Sequence, residues 1–407
     1  MKKIHLYFSF FLFLLISISA LGKDLKSGSW CGVLQLNDST DLPFNFEVKN
    51  HSGKISLDII NAEERIPVDE ISFLKDSIFI RMPVYDSEFR CMNFGDSLKG
   101  VWINHARKDK NILPFRAWSG TTKRFEWKTD YPFFEVRGKY EVTFSAGTKD
   151  ESKAILIIGL TSTQTIGTVL TESGDYRYME GILPFPYLFL SCFDGSHAFL
   201  MKGELLDGTF IGDFYSGAHG YETWIGRDNN DFELRNPDSL TFLKPGADKI
   251  RFSFPNLEGK MVSMTDEKFR NKVVIVQIMG SWCPNCLDES VFLEQVYQKN
   301  KLKGLEIEAV AFEKNNNPET AKNNLNRFKS RSGAEYEFLL SGKTGSKEAS
   351  EAFPMLNSVM AFPTCIYIDK KGIVRRISTG FNGPATGKYY EKWKRETSAF
   401  LDRLLAE

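Results

Sequence analysis

The heptapeptide Gly280-Ser281-Trp282-Cys283-Pro284-Asn285-Cys286 constrains this chain more than any other feature. It falls where an unbroken apolar run, Val273–Met279, gives way to a stretch of helical period, Pro284–Asn300. A short apolar run bounded by turn residues predicts a buried strand, and the longer periodic segment predicts a helix packed on it. Cysteines three positions apart on the first helical turn share a face, so their sulfurs can meet. Cys283 would sit at the helix N-terminus, where unpaired N–H groups and the helix dipole favour a thiolate. Pro284 suits the first helical position, because its missing N–H has no partner there. The thiolate is the attacking species in disulfide exchange, so Cys283 is the candidate nucleophile and Cys286 the resolving thiol. A redox-active Cys283–Cys286 disulfide would be the whole redox group, with no further cofactor.

Zinc is the competing use of such a pair, and it needs two more ligands. The five histidines, His5, His51, His105, His197 and His219, all precede the alternating C-terminal segment, which adds only Cys365. No metal is therefore expected. With 52 basic and 52 acidic side chains the net charge is zero, which removes the electrostatic case for a nucleic-acid partner.

Lys2 and Lys3, the apolar run Ile4–Ile18 and the small residues Ser19, Ala20 and Gly22 have the layout of a secretory signal peptide over residues 1–22. An exported protein, periplasmic or held by an uncleaved anchor, is expected. Export also permits disulfides, and Cys31 with Cys91 could pair or remain buried thiols.

Two architectures follow one another, making the chain α+β overall. Residues 23–245 read as an all-β region of short alternating strands such as Lys54–Ile59, Ser77–Met82, Tyr140–Phe144 and Tyr187–Ser191. Leu98-Lys99-Gly100-Val101-Trp102 has a counterpart in Phe210-Ile211-Gly212-Asp213-Phe214. This suggests two antiparallel units, 23–128 and 135–236, arranged as a barrel or sandwich. Turn and linker chemistry lies near Pro237–Lys249. Beyond it, over 246–407, strands alternate with helices, the pattern of an α/β domain. Strands are expected at Leu305–Phe312, Tyr336–Leu340, Thr364–Asp369 and Ile373–Thr379, and helices at Pro318–Arg331 and Lys388–Leu405.

From about Phe252 onward the chain resembles the TlpA-like (ResA-type) branch of the thioredoxin superfamily. The matching residues are Phe254-Pro255-Asn256-Leu257-Glu258-Gly259-Lys260, Trp282–Cys286, Glu289, and Phe362-Pro363-Thr364 with Asp369. An insertion over about Glu313–Phe353 also fits. The resemblance implies dithiol–disulfide exchange on envelope proteins, fed by a membrane-embedded electron donor. It further implies a cis-proline at Pro363 beside the cysteines, with Trp282, Pro284, Asn285, Phe362 and Pro363 meeting the substrate. Thioredoxins proper carry a buried Asp six residues before the first cysteine, where this chain has Gln277. An amide cannot relay protons, so Glu289 is the candidate acid near Cys286. Cys365 reads as a buried filler.

Two rival functions remain from the sequence. A thiol peroxidase would carry Thr or Ser three residues before the reactive cysteine, where Gly280 stands. Alternatively the β region binds a protein or glycan through exposed aromatics, with Trp30, Trp102, Trp118, Trp127 and Trp224 as candidates, and the redox domain is subsidiary.

Overall fold

The computed structural model describes residues 25–127, 137–161, 164–315, 317–342 and 345–407. The expected leader lies outside them. Alternation governs the β region, as in Ser87–Asn93, where every second side chain is buried. Residues 28–119 form a nine-stranded antiparallel sheet whose first strand, Gly28–Asn37, pairs with both Thr40–His51 and the last strand, Ile112–Ser119. A second nine-stranded sheet repeats this arrangement, with Gly138–Phe144 paired to Ser152–Leu160 and to its own last strand, Gly220–Asp228. In the second sheet Ser152–Leu160 also pairs with Thr165–Thr171, which closes it into a barrel.

The first sheet does not close by hydrogen bonds and ends at Glu64–Val68 and Glu70–Leu74. Its apolar face is covered by the barrel instead. Phe193, Ala198 and Leu200 enter the same core as Trp30, Phe44, Phe89 and Trp102. The Phe193 ring lies 4.5 Å from Phe44 and 5.3 Å from Trp102. A buried guanidinium on this seam is held by hydrogen bonds from its two terminal nitrogens. Arg124 donates to the carbonyls of Ser191 (2.9 Å) and Ile60 (2.6 Å) and stands 3.3 Å from the Glu180 carboxylate. Cys31, Cys91 and Cys192 are buried free thiols. Burial pushes Cys31 up to about 11 and Cys91 to about 12. Among the candidate aromatics, Trp30, Trp102 and Trp224 are core residues, whereas Trp118 and Trp127 are exposed.

The C-terminal domain has a five-stranded sheet in the order Glu337–Leu340, Leu305–Ala311, Val273–Met279, Thr364–Ile368, Val374–Thr379. The first three strands are parallel and the last two antiparallel. Helices α1 (Pro284–Asn300), α2 (Pro318–Ser332), α3 (Gly345–Ala352) and α4 (Lys388–Ala406) cover it. Every residue of Val273–Met279 is buried, because both faces of this strand are packed. Val273, Ile275 and Met279 meet Phe292, Leu325 and Leu401, while Val274, Val276 and Ile278 meet Ala349, Phe353 and Ile366.

Residues 237–248, whose composition suggests a free linker, are packed on this domain. Leu240 and Thr241 are buried. Asn357 donates to the Leu240 carbonyl (3.1 Å), Thr379 to the Thr241 hydroxyl (2.6 Å), and Lys244 N–H to the Met355 carbonyl (2.8 Å). No helix among the described residues is long and apolar enough to cross a membrane.

Candidate active site

The central strand ends at Met279, and Gly280-Ser281-Trp282 turns the chain into α1. Space dictates glycine at position 280, since an added methyl would lie 2.3 Å from the Trp282 indole nitrogen. Cys283 caps the helix with extended backbone, and its sulfur accepts from the Cys286 N–H at 3.3 Å. Pro284 takes the first helical position. An orphan amide at a helix N-terminus thus points at the sulfur that would carry negative charge.

Both cysteines are buried, Cys283 with 6% of its surface exposed and Cys286 with none. Both are free thiols. Burial is the main reason the Cys286 thiol is held well above the usual thiol range, reinforced by its interaction with Cys283 and by the nearby Glu289 charge. Across the cleft, the Phe362–Pro363 peptide is cis, and the Phe362 carbonyl lies 3.5 Å from the Cys283 sulfur. The Trp282 ring meets Phe362 edge-on at 5.4 Å and donates to the Phe312 carbonyl at 3.0 Å.

Behind Cys286 lies a buried polar network. Gln277 donates to Glu289 (2.8 Å) and accepts from the Ser290 hydroxyl (3.0 Å). The Cys365 thiol donates to the same Glu289 oxygen at 3.2 Å. Cys365 is therefore a filler that also holds a carboxylate. Desolvation raises the Glu289 carboxyl to about 7, against the opposing hydrogen bonds from Gln277 and Cys365. Glu289 is no surface residue: only 3% of it is exposed.

A second buried acid, which no motif in the sequence marks, stands at the same sheet end. Glu313 accepts from both the backbone N–H (2.8 Å) and hydroxyl (2.6 Å) of Ser281, and burial raises it to about 7. The neighbouring Lys314 ammonium sits 4.0 Å from the Trp282 ring centre, and burial lowers it to about 8. Position after a buried strand, at the same sheet end as the cysteines, was the available signal. Asn285, between the cysteines, donates its side chain to the carbonyl of Asp175 in the β region (3.2 Å).

A buried strand delivering a dithiol to a helix start, opposite a cis-proline, defines a thioredoxin-type exchange site. Comparisons of sequence with known proteins agree. A family model described as Redoxin matches residues 245–392. Thiol-disulfide oxidoreductase ResA of Geobacillus thermodenitrificans is 29% identical over 140 residues, covering 34% of this chain and 72% of the relative. ResA of Bacillus thuringiensis (strain Al Hakam) is 31% identical over 131 residues, covering 32% of this chain and 67% of the relative. A solved thioredoxin-family thiol:disulfide interchange protein from Chlorobium tepidum aligns at 20% identity and a TM-score of 0.30, over 39% of this chain and 96% of that structure. Through its C-terminal domain the chain belongs to the ResA family of thiol–disulfide oxidoreductases.

Proposed function

We propose that the chain is an exported protein dithiol–disulfide oxidoreductase acting on envelope proteins, with Cys283 as the attacking thiol and Cys286 as the resolving one. The observation that carries this assignment is the Cys286 N–H directed at the Cys283 sulfur from the first turn of α1. As a reductant, the Cys283 thiolate attacks one sulfur of a substrate disulfide. A mixed disulfide forms and one substrate thiolate leaves. Cys286 then loses its proton and attacks the Cys283 sulfur. The Cys283–Cys286 disulfide forms, and the substrate departs with both electrons as a dithiol. The reverse sequence oxidises a substrate.

Glu289 is the acid placed to take and return the Cys286 proton, and its carboxyl near neutrality suits that exchange. Trp282, Pro284, Asn285 and the Phe362–Pro363 segment would hold an extended substrate strand. Regeneration would draw on a membrane-embedded electron donor, which the resemblance to the ResA branch implies. Residues 1–22 would carry the export signal.

The test is trapping. Cys286→Ser should accumulate a mixed disulfide between Cys283 and a protein substrate, whereas Cys283→Ser should accumulate none and lose dithiol-linked insulin reduction. Trapping through Cys286 in the Cys283→Ser protein would reverse the two roles.

A further inference from the structure

The face that would receive a protein substrate is already in contact with the β region. Ser196 donates its hydroxyl to the carbonyl of Trp282, the residue before the attacking thiol, at 2.9 Å. Asn285 donates to the Asp175 carbonyl at 3.2 Å. The Asp175 carboxylate accepts the N–H of Gly383 at 2.5 Å, in the loop that follows Val374–Thr379. Arg177 donates to Asp288 on α1 at 2.5 Å, pairs with Glu64 and stands 3.7 Å from Asp194. Backbone approach is equally close. A methyl on Gly174 would lie 2.2 Å from the Asn285 side-chain nitrogen, and one on Gly380 would lie 2.5 Å from the Glu172 carbonyl oxygen. Val84 and Tyr85, in the turn between Ser77–Arg81 and Ser87–Asn93, share the core that holds Cys283 and Cys286.

These contacts are prepared within the β region itself. The Asp194 carboxylate accepts the N–H groups of Ser196 and His197, and Ser87 and Asn104 donate to the Gly195 and Ser196 carbonyls. The turn carrying Ser196 is thus fixed before it meets Trp282. Asp175 fixes the second contact by accepting the Arg177 N–H with one oxygen and Gly383 with the other. Asp175, Arg177 and Asp194 are all nine-tenths or more buried, each with a partner. Buried charges of this kind are costly unless their geometry is specified.

We infer that the β region is an intramolecular cover docked over Trp282, Asn285 and the Gly380–Gly383 loop, and that protein substrates reach Cys283 only when it undocks. This rests on the assignment of Cys283 as the attacking thiol. An extended segment lying along Phe362 and Trp282 requires the face that Asp175 and Ser196 now occupy. A thiol reagent of a few atoms does not. The contacts joining cover and site are hydrogen bonds, the Arg177–Asp288 ion pair and the apolar contact of Val84 and Tyr85. Such interfaces within one chain open readily.

The experiment uses the full reduced chain and the double variant Ser196→Ala, Asp288→Asn, with labelling of Cys283 read by peptide mass spectrometry. Asp288→Asn leaves Arg177 with Glu64 and Asp194, so no bare buried charge is created. A hydrogen bond to a charged group shifts an equilibrium by roughly 10- to 100-fold. The double variant should therefore react about tenfold or more faster with a polymer-bearing maleimide and with a protein disulfide, while its rate with iodoacetamide stays as in wild type. Unchanged rates with all reagents, or an equal rise with small and large ones, would overturn the cover.

Should the variant fail to fold, the Cys286→Ser protein, which cannot resolve the mixed disulfide, gives the second reading. Trapped in a mixed disulfide with an unfolded peptide, it should lose hydrogen-exchange protection at the amide of Gly383, whose bond to Asp175 crosses the interface. Protection retained there overturns the inference. If Cys283→Ser still exchanges disulfides, it is the thiol assignment that has failed, not the cover.

Discussion

Glu289 sits where burial and chemistry pull in opposite directions. A buried carboxylate is destabilising, and its carboxyl is raised from 4.5 to about 7 chiefly by desolvation. The folded protein therefore binds this proton more tightly than the unfolded chain does. The carboxylate costs no stability below about pH 4.5, and the cost grows as pH rises to about 7 and is complete above it. At about 1.36 kcal/mol per pH unit, that gap corresponds to ~3 kcal/mol. Glu289→Gln should therefore gain stability relative to wild type between about pH 4.5 and 7, read as melting temperature against pH. The same variant should slow turnover, since proton-transfer assistance is worth ~10²–10⁴-fold, and should lose an inflection near pH 7. Removing a negative neighbour should also lower the titration point of Cys286, measured by alkylation across pH. A Gln variant with wild-type rate profile and titration would leave Glu289 no part in the exchange. The cysteines, Pro363 and Glu289 were legible as residues because a spacing or a motif position marks each of them. Glu313 and Lys314 were not, because a single acid and a single base after a strand look like any loop.

Among the elements, legibility followed burial pattern. Val273–Met279 and Pro284–Asn300 could be read to the residue, because one is wholly apolar and the other begins at a proline. The helix α3 buries only Ala349, so its sequence offers no apolar stripe to detect. The hairpin of Ser253–Pro255 with Met261–Ser263 has strands of three residues, too short to alternate visibly. Within the β sheets, the matching glycines of the two units have a common physical reason. A methyl on Gly100 would lie 2.0 Å from the Arg90 carbonyl oxygen, and one on Gly212 would lie 1.9 Å from that of Lys202. Each strand therefore crosses its neighbour at a point where only glycine fits. Gly100→Ala and Gly212→Ala should each destabilise the chain by about 1–3 kcal/mol, the usual cost of forcing extra atoms into a packed site. Thermal or urea unfolding of the two single variants measures this. Wild-type stability in both would mean that the strands shift freely at these points.

On the scale of the whole molecule, what the sequence could not reveal is how its parts meet. First-to-last strand pairing joins Gly28–Asn37 to Ile112–Ser119, and no local pattern records a partner so far along the chain. The docking of Asp175, Arg177 and Ser196 on the redox site depends on isolated polar residues with no period. Likewise, Pro237–Asp248 has the proline and glycine of a linker, yet its Leu240 and Thr241 complete the redox domain. This packing bears on where an independent fragment can begin. Full burial of one Leu side chain is worth ~1.5–3 kcal/mol, and the hydrogen bonds at Leu240, Thr241 and Lys244 add to it. A fragment starting at Asn236 should therefore fold, keep insulin reduction and be ~2–4 kcal/mol more stable than one starting at Asp248. Urea titration of both fragments, with activity assayed on each, makes the comparison. Equal stabilities would show that the segment merely rests on the domain. Two unfolded fragments would mean that the β region, through Val84 and Tyr85, is needed to complete the redox core.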